Sequence, residues 1–124
     1  MSLIRNQKGK WAEEQAKLFL ESQGYQILYQ RYKTREGEID LIISQPETLI
    51  AVEVKYRRLY REAAECISLK QQKRIISTFN HFLAHHEELY NKCPFLRIDV
   101  VLLCQTQPPI HIINAWQYYD FFEK

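Results

Sequence analysis

Two segments of the chain carry apolar residues at the spacing of one helix face. The first spans residues 8–23 and ends before Gly24, a natural helix stop. The second, residues 68–90, predicts one long helix that ends at residues 92–94. The apolar stripes are Ala12, Ala16, Phe19 and Leu20 in the first segment, and Ile75, Ile76, Phe79, Phe82, Leu83, His86, Leu89 and Tyr90 in the second.

Other segments have the apolar alternation or the dense β-branched composition of strands. The predicted strands are residues 25–33, 38–44, 49–56, 96–104 and 110–115. In the first of them, unbroken alternation places Tyr29 on the same face as Ile27 and Arg31. We expect Pro108 and Pro109 to form a break before the last strand.

The connections between these strands predict their arrangement. Residues 34–37 form a turn in which Gly37 is able to take positive φ, and residues 45–48 suit a hairpin. The element order is α-β-β-β-α-β-β, in which a hairpin-rich start is followed by a helical crossover. This order predicts an α/β fold with a central mixed sheet. The 124 residues, without an evident linker or repeat, predict a single domain over residues 1–124.

Composition narrows the class of protein. Lys and Arg number 17 and Asp and Glu number 15, so a net charge of +2 excludes a polybasic protein. Three cysteines, with no closely spaced pair, favour reduced thiols and a cytoplasmic location. The longest apolar run, residues 100–104, is too short to span a membrane, so no membrane partner is expected.

The predicted hairpin brings charged residues together. If Ser44 pairs with Leu49, then Asp40 lies opposite Glu53, and Glu38 lies opposite Lys55. Directly opposed residues share a sheet face, whereas a slip of one residue would separate the two carboxylates. The register therefore predicts an acidic patch with a lysine beside it.

Two opposed carboxylates repel each other unless a cation lies between them. Mg²⁺ or Mn²⁺ fits, because such ions accept one or two carboxylates and keep water and phosphate oxygens as their other ligands. In that interpretation Asp40 and Glu53 hold the metal, while Lys55 assists the attacking water in phosphodiester hydrolysis. The alternative is that Lys55 neutralises Glu53 or Glu38 on a solvated sheet face.

Basic residues flank this patch on both sides along the chain. A cationic rim around an acidic metal site is typical of a nuclease, because the rim attracts phosphates. The alternative is an ordinary solvated helix start, although cations there oppose the helix dipole. The residues expected to bind nucleic acid are Arg35, Arg57, Arg58, Lys70, Lys73 and Arg74.

Three motifs in order, GEIDLI at residues 37–42, VEVKYR at 52–57 and RIDVV at 97–101, closely resemble the bacterial YraN family. The resemblance implies a restriction-endonuclease-like three-layer core, α-β-β-β-α-β, of the PD-(D/E)XK nuclease superfamily. It gives Asp40 the metal-binding aspartate role and Glu53 and Lys55 the E-x-K roles.

The same resemblance extends to residues 12–16 of the first helix. It implies that Glu13 is an additional metal ligand, as in Holliday-junction-resolvase-like members. The alternative is an exposed helix glutamate. The family's lysine at the start of the second helix aligns near Lys70, although the apolar spacing fits better toward Gln71.

The predicted function is therefore a metal-dependent endonuclease that binds nucleic acid, expected to be DNA and to include branched structures. One alternative is a binding module of the same fold without catalysis. Another is a dimeric scaffold, because the aromatic segment 116–122 suits a homodimer surface or a lid over the core. Arg97 and Asp99 share a strand face and are interpreted as an ion pair that supports the sheet.

Overall fold

A five-stranded mixed sheet forms the centre of the structure, a computed structural model that describes residues 5–58 and 67–116. The strands are β1 (Gln26–Lys33), β2 (Glu38–Gln45), β3 (Thr48–Tyr56), β4 (Phe95–Cys104) and β5 (Gln107–Ile112), and they lie side by side in that order. Neighbouring strands are antiparallel except β3 and β4, which are parallel. The predicted mixed α/β class is confirmed.

Helices pack on both faces of this sheet. The described helices are α1 (Arg5–Ser22), α2 (Leu69–Ala84) and α3 (Glu87–Lys92). Alternate residues of β3 separate the two cores: Ile50 and Val52 pack with α1, whereas Leu49 and Ala51 pack with α2. None of these described helices combines the length and hydropathy that crossing a bilayer requires.

Some sequence predictions concern residues outside the described ranges. These are most of the loop that follows Arg58, together with Cys66, and the aromatic segment beyond Trp116.

The predicted long helix is wrong, because the chain forms two helices separated by His85 and His86. Two imidazole side chains form hydrogen bonds with backbone carbonyl groups at the end of α2. The Nδ1–H of His85 donates to the His81 carbonyl oxygen, and that of His86 donates to the Phe82 carbonyl oxygen, each at 2.8 Å. The Phe82 carbonyl oxygen accepts the His86 imidazole N–H, while the His86 backbone N–H donates to Leu83 instead of Phe82, and the regular helix ends there.

The predicted alternation of β1 is also wrong in its second half. The pairing of β1 with β2 shifts between Ile27 and Tyr29. Ile27 packs in the α1 core, whereas the Tyr29 ring contacts Phe82 and His86 on the α2 side. The irregularity in the ladder changes which face the following side chains occupy.

Gly37 is needed for its size rather than for positive φ. Of the described glycines, Gly24 alone has positive φ, at 93°. A Cβ at Gly37 would lie 3.2 Å from the Thr78 hydroxyl and 3.3 Å from the Arg74 Cβ. The absence of a side chain therefore lets the β1–β2 turn rest against α2.

Pro108 and Pro109 lie within β5 instead of breaking the chain before it. β5 is at the edge of the sheet, where a residue without an N–H group removes few ladder hydrogen bonds. The β2–β3 connection is likewise tighter than predicted, because Gln45 pairs with Thr48 across a two-residue turn.

A buried charged network ties β5 to the sheet. The Arg97 guanidinium donates to both carboxylate oxygens of Asp99 at 2.9 Å, and His111 Nε2 lies 2.7 Å from the same carboxylate. The backbone N–H of Asn114 donates to it as well, at 2.9 Å. Burial acts to raise the pKa of Asp99, but these hydrogen bonds outweigh it and the pKa is lowered. The predicted Arg97–Asp99 ion pair is confirmed.

We expect Asp99→Ala to lower the free energy of unfolding by about 3–5 kcal/mol, because it leaves the Arg97 charge buried without its partner. Glu13→Ala is the matched control. It removes a similar bidentate pair with Arg31, whose side chain is 51% exposed, and should cost about 0–1 kcal/mol. Urea unfolding followed by circular dichroism measures both. Equal losses in the two variants would contradict this interpretation of the network.

Candidate functional site

The β2–β3 ladder ends where the two strands reach their charged residues. The predicted register is confirmed from Leu41, opposite Val52, to Gln45, opposite Thr48. Beyond Leu41 a side chain replaces the backbone ladder: the Val54 N–H donates to Asp40 Oδ2 at 2.7 Å. The Asp40 carboxylate is thereby fixed between the two strands.

Glu53 lies beside Asp40 and is almost entirely buried, with 8% of its surface exposed. The two carboxyl groups are hydrogen-bonded to each other. Burial, followed by the hydrogen bond and charge of Asp40, raises the pKa of Glu53 to about 10, while the nearby Lys55 charge opposes the shift. Without a cation, the Glu53 carboxyl group therefore keeps its proton at neutral pH.

These carboxyl groups line a cleft of about 310 Å³ between the sheet and the start of α2. Gln71, Arg74 and Ile75 form its helical wall. The sheet side is formed by Gly37, Glu38, Asp40, Glu53, Val54 and Lys55. The cleft thus combines acidic groups and a lysine on the sheet side with an arginine on the helix side.

Local structure sets the helical wall in place. The Ser68 hydroxyl accepts a hydrogen bond from the Gln71 N–H at 3.1 Å and caps α2. The close contact of Gly37 with Arg74 and Thr78 holds the β1–β2 turn against the next turn of the helix. Together they place Gln71 and Arg74 over the carboxylate pair.

The residues predicted to bind nucleic acid lie in several different parts of the structure. Arg74 lines the cleft, and Lys70 and Lys73 are exposed beside it on α2. Arg35 is exposed on the β1–β2 turn, and Arg58 is exposed after β3.

Arg57 is the exception within this set. It is partly buried, and its guanidinium donates to the Tyr56 carbonyl oxygen at 2.6 Å. Its backbone N–H donates to the Leu103 carbonyl oxygen, which continues the contact between β3 and β4. This geometry gives Arg57 a role in the protein's own structure.

Glu13 is not among the residues that line the cleft with Asp40 and Glu53. Its carboxylate accepts hydrogen bonds from the Arg31 guanidinium at 2.6–3.2 Å, and both residues line a separate depression. Glu13 raises the pKa of Arg31, and the charges of Glu38 and Asp40 add to the effect. Arg31 therefore pairs with Glu13 and also lies within electrostatic range of the acidic residues of the cleft.

The donor set in the cleft suits a hard divalent cation. Asp40 and Glu53 supply oxygen ligands, and a metal between them would replace the proton on Glu53. Within residues 5–58 and 67–116, no three His, Cys, Asp or Glu side chains are close enough to form a complete protein cage. Mg²⁺ and Mn²⁺ tolerate such a site, because water and substrate oxygens complete their coordination.

One feature of this site follows an alternative that the sequence left open, and another was not predicted. Gln71 lines the cleft, whereas Lys70 does not, which agrees with the apolar spacing that favoured Gln71. Arg31 adopts positive φ, at 54°, and its pairing with Glu13 has no signal in the sequence pattern.

A family model described as "Uncharacterised protein family UPF0102" matches residues 12–103. The chain belongs to the UPF0102 family. The match spans the whole sheet side of the cleft and α2. The resemblance to the YraN family is thereby confirmed at the level of this family.

Individual UPF0102 proteins align with nearly the whole chain. The chain is 38% identical to one from Azorhizobium caulinodans, over 89% of this chain and 82% of the relative. It is 36% identical to one from Psychromonas ingrahamii, over 90% and 91%, and 37% identical to one from Erythrobacter litoralis, over 92% and 96%.

The raised pKa of Glu53 predicts how the stability of the metal-free protein depends on pH. Between its ordinary value of 4.5 and about 10, the folded state keeps a proton that the unfolded chain has lost. The stability contributed by that proton is complete below pH 4.5 and is lost as the pH rises toward 10.

We therefore expect the urea midpoint of the wild type in EDTA to fall between pH 6 and pH 9, and that of Glu53→Gln to fall less, because glutamine does not ionise. The exposed Glu88→Gln is the control and should behave as the wild type does. Parallel pH profiles for the wild type and Glu53→Gln would refute the raised pKa of Glu53.

Proposed function

We propose that this protein is a metal-dependent endonuclease that binds DNA and hydrolyses its phosphodiester bonds. The carboxyl pair formed by Asp40 and Glu53, with Lys55 in the same cleft, is the observation that carries the proposal. A buried acidic pair costs stability at neutral pH, and a bound cation offsets that cost. Arg74 on the opposite wall supplies positive charge for a phosphate group.

Each residue of the cleft has a distinct role in this reaction. Asp40 and Glu53 would hold Mg²⁺ or Mn²⁺, which when bound lowers the pKa of water and neutralises charge on the phosphate. The Val54 N–H keeps the Asp40 carboxylate directed between the strands. Lys55 orients the attacking water and stabilises the charge that develops on phosphorus-bound oxygens.

The order of elements supports a place for this fold in the PD-(D/E)XK superfamily. Helix α1, strands β1 to β3, helix α2 and strand β4 follow one another as in the α-β-β-β-α-β core implied by the family resemblance. By the same analogy we propose branched DNA as the substrate. Glu13 would join the metal only after exchanging its present partner, Arg31.

Catalysis is tested by divalent-dependent cleavage of linear, flapped and four-way DNA. We expect Asp40→Asn, Glu53→Gln and Lys55→Met each to lower the cleavage rate by at least about a hundredfold, because each removes charge from the reaction centre. Asparagine at position 40 keeps an oxygen that can accept the Val54 N–H, which limits damage to the fold.

Lys92→Met is the matched control, since Lys92 is an exposed lysine on α3. Calorimetry with Mn²⁺ gives a readout independent of turnover: Asp40→Asn and Glu53→Gln should weaken metal binding, and Lys55→Met should not. Cleavage that is unchanged in all three cleft variants would remove the nuclease proposal.

A second candidate function is nucleic-acid binding without catalysis. It is favoured by the exposed cations Arg35, Lys70 and Lys73, which take part in none of the ion pairs found among the described residues. Binding to duplex DNA that survives loss of Asp40 and Glu53 would support this function.

Both functions require the cations at the start of α2 to contact phosphates. We expect Lys73→Ala combined with Arg74→Ala to weaken DNA binding and to reduce the slope of log K against log salt by about two, one for each lost contact. Fluorescence anisotropy across a salt series measures the slope, with Lys92→Ala as the control. A slope that matches the wild type would place phosphate binding elsewhere.

A further inference from the structure

A stack of rings lies on the α2 side of the sheet, away from the carboxylate cleft. The Tyr32 hydroxyl is 2.8 Å from His81 Nδ1, and the two rings are 6.0 Å apart between centroids. The His81 ring in turn stacks on His85, with centroids 4.2 Å apart and planes 18° from parallel. Tyr32 of β1, His81 of α2 and His85, the residue that follows α2, thus form one continuous series of rings.

The last ring of this stack is held rigidly and is open to solvent. The Nδ1–H of His85 donates to the His81 carbonyl oxygen, which fixes the plane of the ring. His85 is exposed, and among the described ring contacts it has one partner, His81. A depression of about 400 Å³, lined in part by His85, lies beside it and is large enough for a small planar group.

The stack lies along the same exposed stripe of α2 as the cationic wall of the cleft. Arg74, Ser77, His81 and His85 are exposed and follow one another at intervals of three or four residues. At ~1.5 Å per residue, His81 lies about 10 Å along the helix from Arg74. About three nucleotides of a strand that keeps the stacking of a duplex cover that distance at ~3.4 Å each.

Charges around the stack favour a base over a phosphate. Glu36 lies near His81: the hydrogen bond from Thr34 and, to a smaller extent, the charge of His81 lower the pKa of Glu36. Glu87 and Glu88 line the depression beside His85. These carboxylates repel phosphate groups, but they can accept hydrogen bonds from the amino groups of bases. The uncharged faces of the rings suit stacking with any base.

We propose that Tyr32, His81 and His85 form a base-stacking surface for a single-stranded extension of the DNA held at the carboxylate cleft. The inference rests on the proposed function, because the cleft and its cations supply the phosphate contacts. It specifies the substrate as duplex DNA that continues into a single strand, as at a flap or a fork. The strand passes from Arg74 along α2, and its bases stack on the imidazole of His85.

The test compares two fluorescent DNAs in EDTA, where cleavage does not interfere. One is a blunt duplex, and the other carries an oligothymidine extension of about six nucleotides containing 2-aminopurine. We expect the full-length protein to bind the extended DNA about tenfold more tightly than the blunt one and to quench 2-aminopurine by stacking. His85→Gln, which keeps an N–H donor for the His81 carbonyl, should lose both effects but bind blunt duplex as before.

His85→Tyr should retain both effects, because a ring remains, and Tyr90→Ala, at an exposed aromatic residue on α3, is the matched control. If the wild type gains nothing from the extension, or if His85→Gln keeps the gain and the quenching, the inference is wrong. In that case the proposed function is still tested separately, by the affinity of the double variant Lys73→Ala, Arg74→Ala for the blunt duplex. If the wild type binds neither DNA, both proposals fail.

Discussion

The cleft depends on the hydrogen bond from the Val54 N–H to the Asp40 carboxylate. In an uninterrupted antiparallel ladder, backbone groups of β2 and β3 would pair to the end of both strands. Here the side chain of one strand satisfies the backbone of the other, so the strands end their pairing without leaving a buried N–H unsatisfied. The same bond places one carboxylate against a second, buried one. The same hydrogen bond thus satisfies the backbone where the strands separate and holds two carboxyl groups unfavourably close together.

That strain gives the cleft a preference among ligands. Burial and the neighbouring carboxyl group hold Glu53 in its protonated form, although an isolated glutamate would be ionised at neutral pH. In the proposed function, a ligand that brings concentrated positive charge would relieve both effects at once. By contrast, the buried Asp99 has a guanidinium, an imidazole and a backbone N–H as partners, and its pKa is lowered. The chain therefore satisfies one buried carboxylate internally and leaves the other pair dependent on its surroundings.

The sequence allowed the hairpin register to be predicted, because a single turn relates all of its pairs. The confirmed pairs end at Leu41 opposite Val52, and Asp40 and Glu53 come together just beyond them through their side chains. Features that depend on distant packing were not predictable in the same way. Helix α2 ends before His85, whose imidazole hydrogen-bonds to a backbone carbonyl of the last turn. The apolar periodicity of the sequence gives no sign of this end, because it continues toward Leu89. The role of Gly37 depends on how closely α2 approaches, which alternation along one strand does not reveal.

The two prolines in β5 have a consequence for how the protein behaves at high concentration. An edge strand exposes backbone groups that can pair with a strand of another molecule. Pro108 and Pro109 have no N–H group to offer to such a strand, so the first half of this edge is a poor template for further sheet growth. The exposed Ile110 and Ile112 follow directly. Among the described residues, the edge strand therefore carries apolar side chains beside two positions whose backbone has no N–H to donate to another strand.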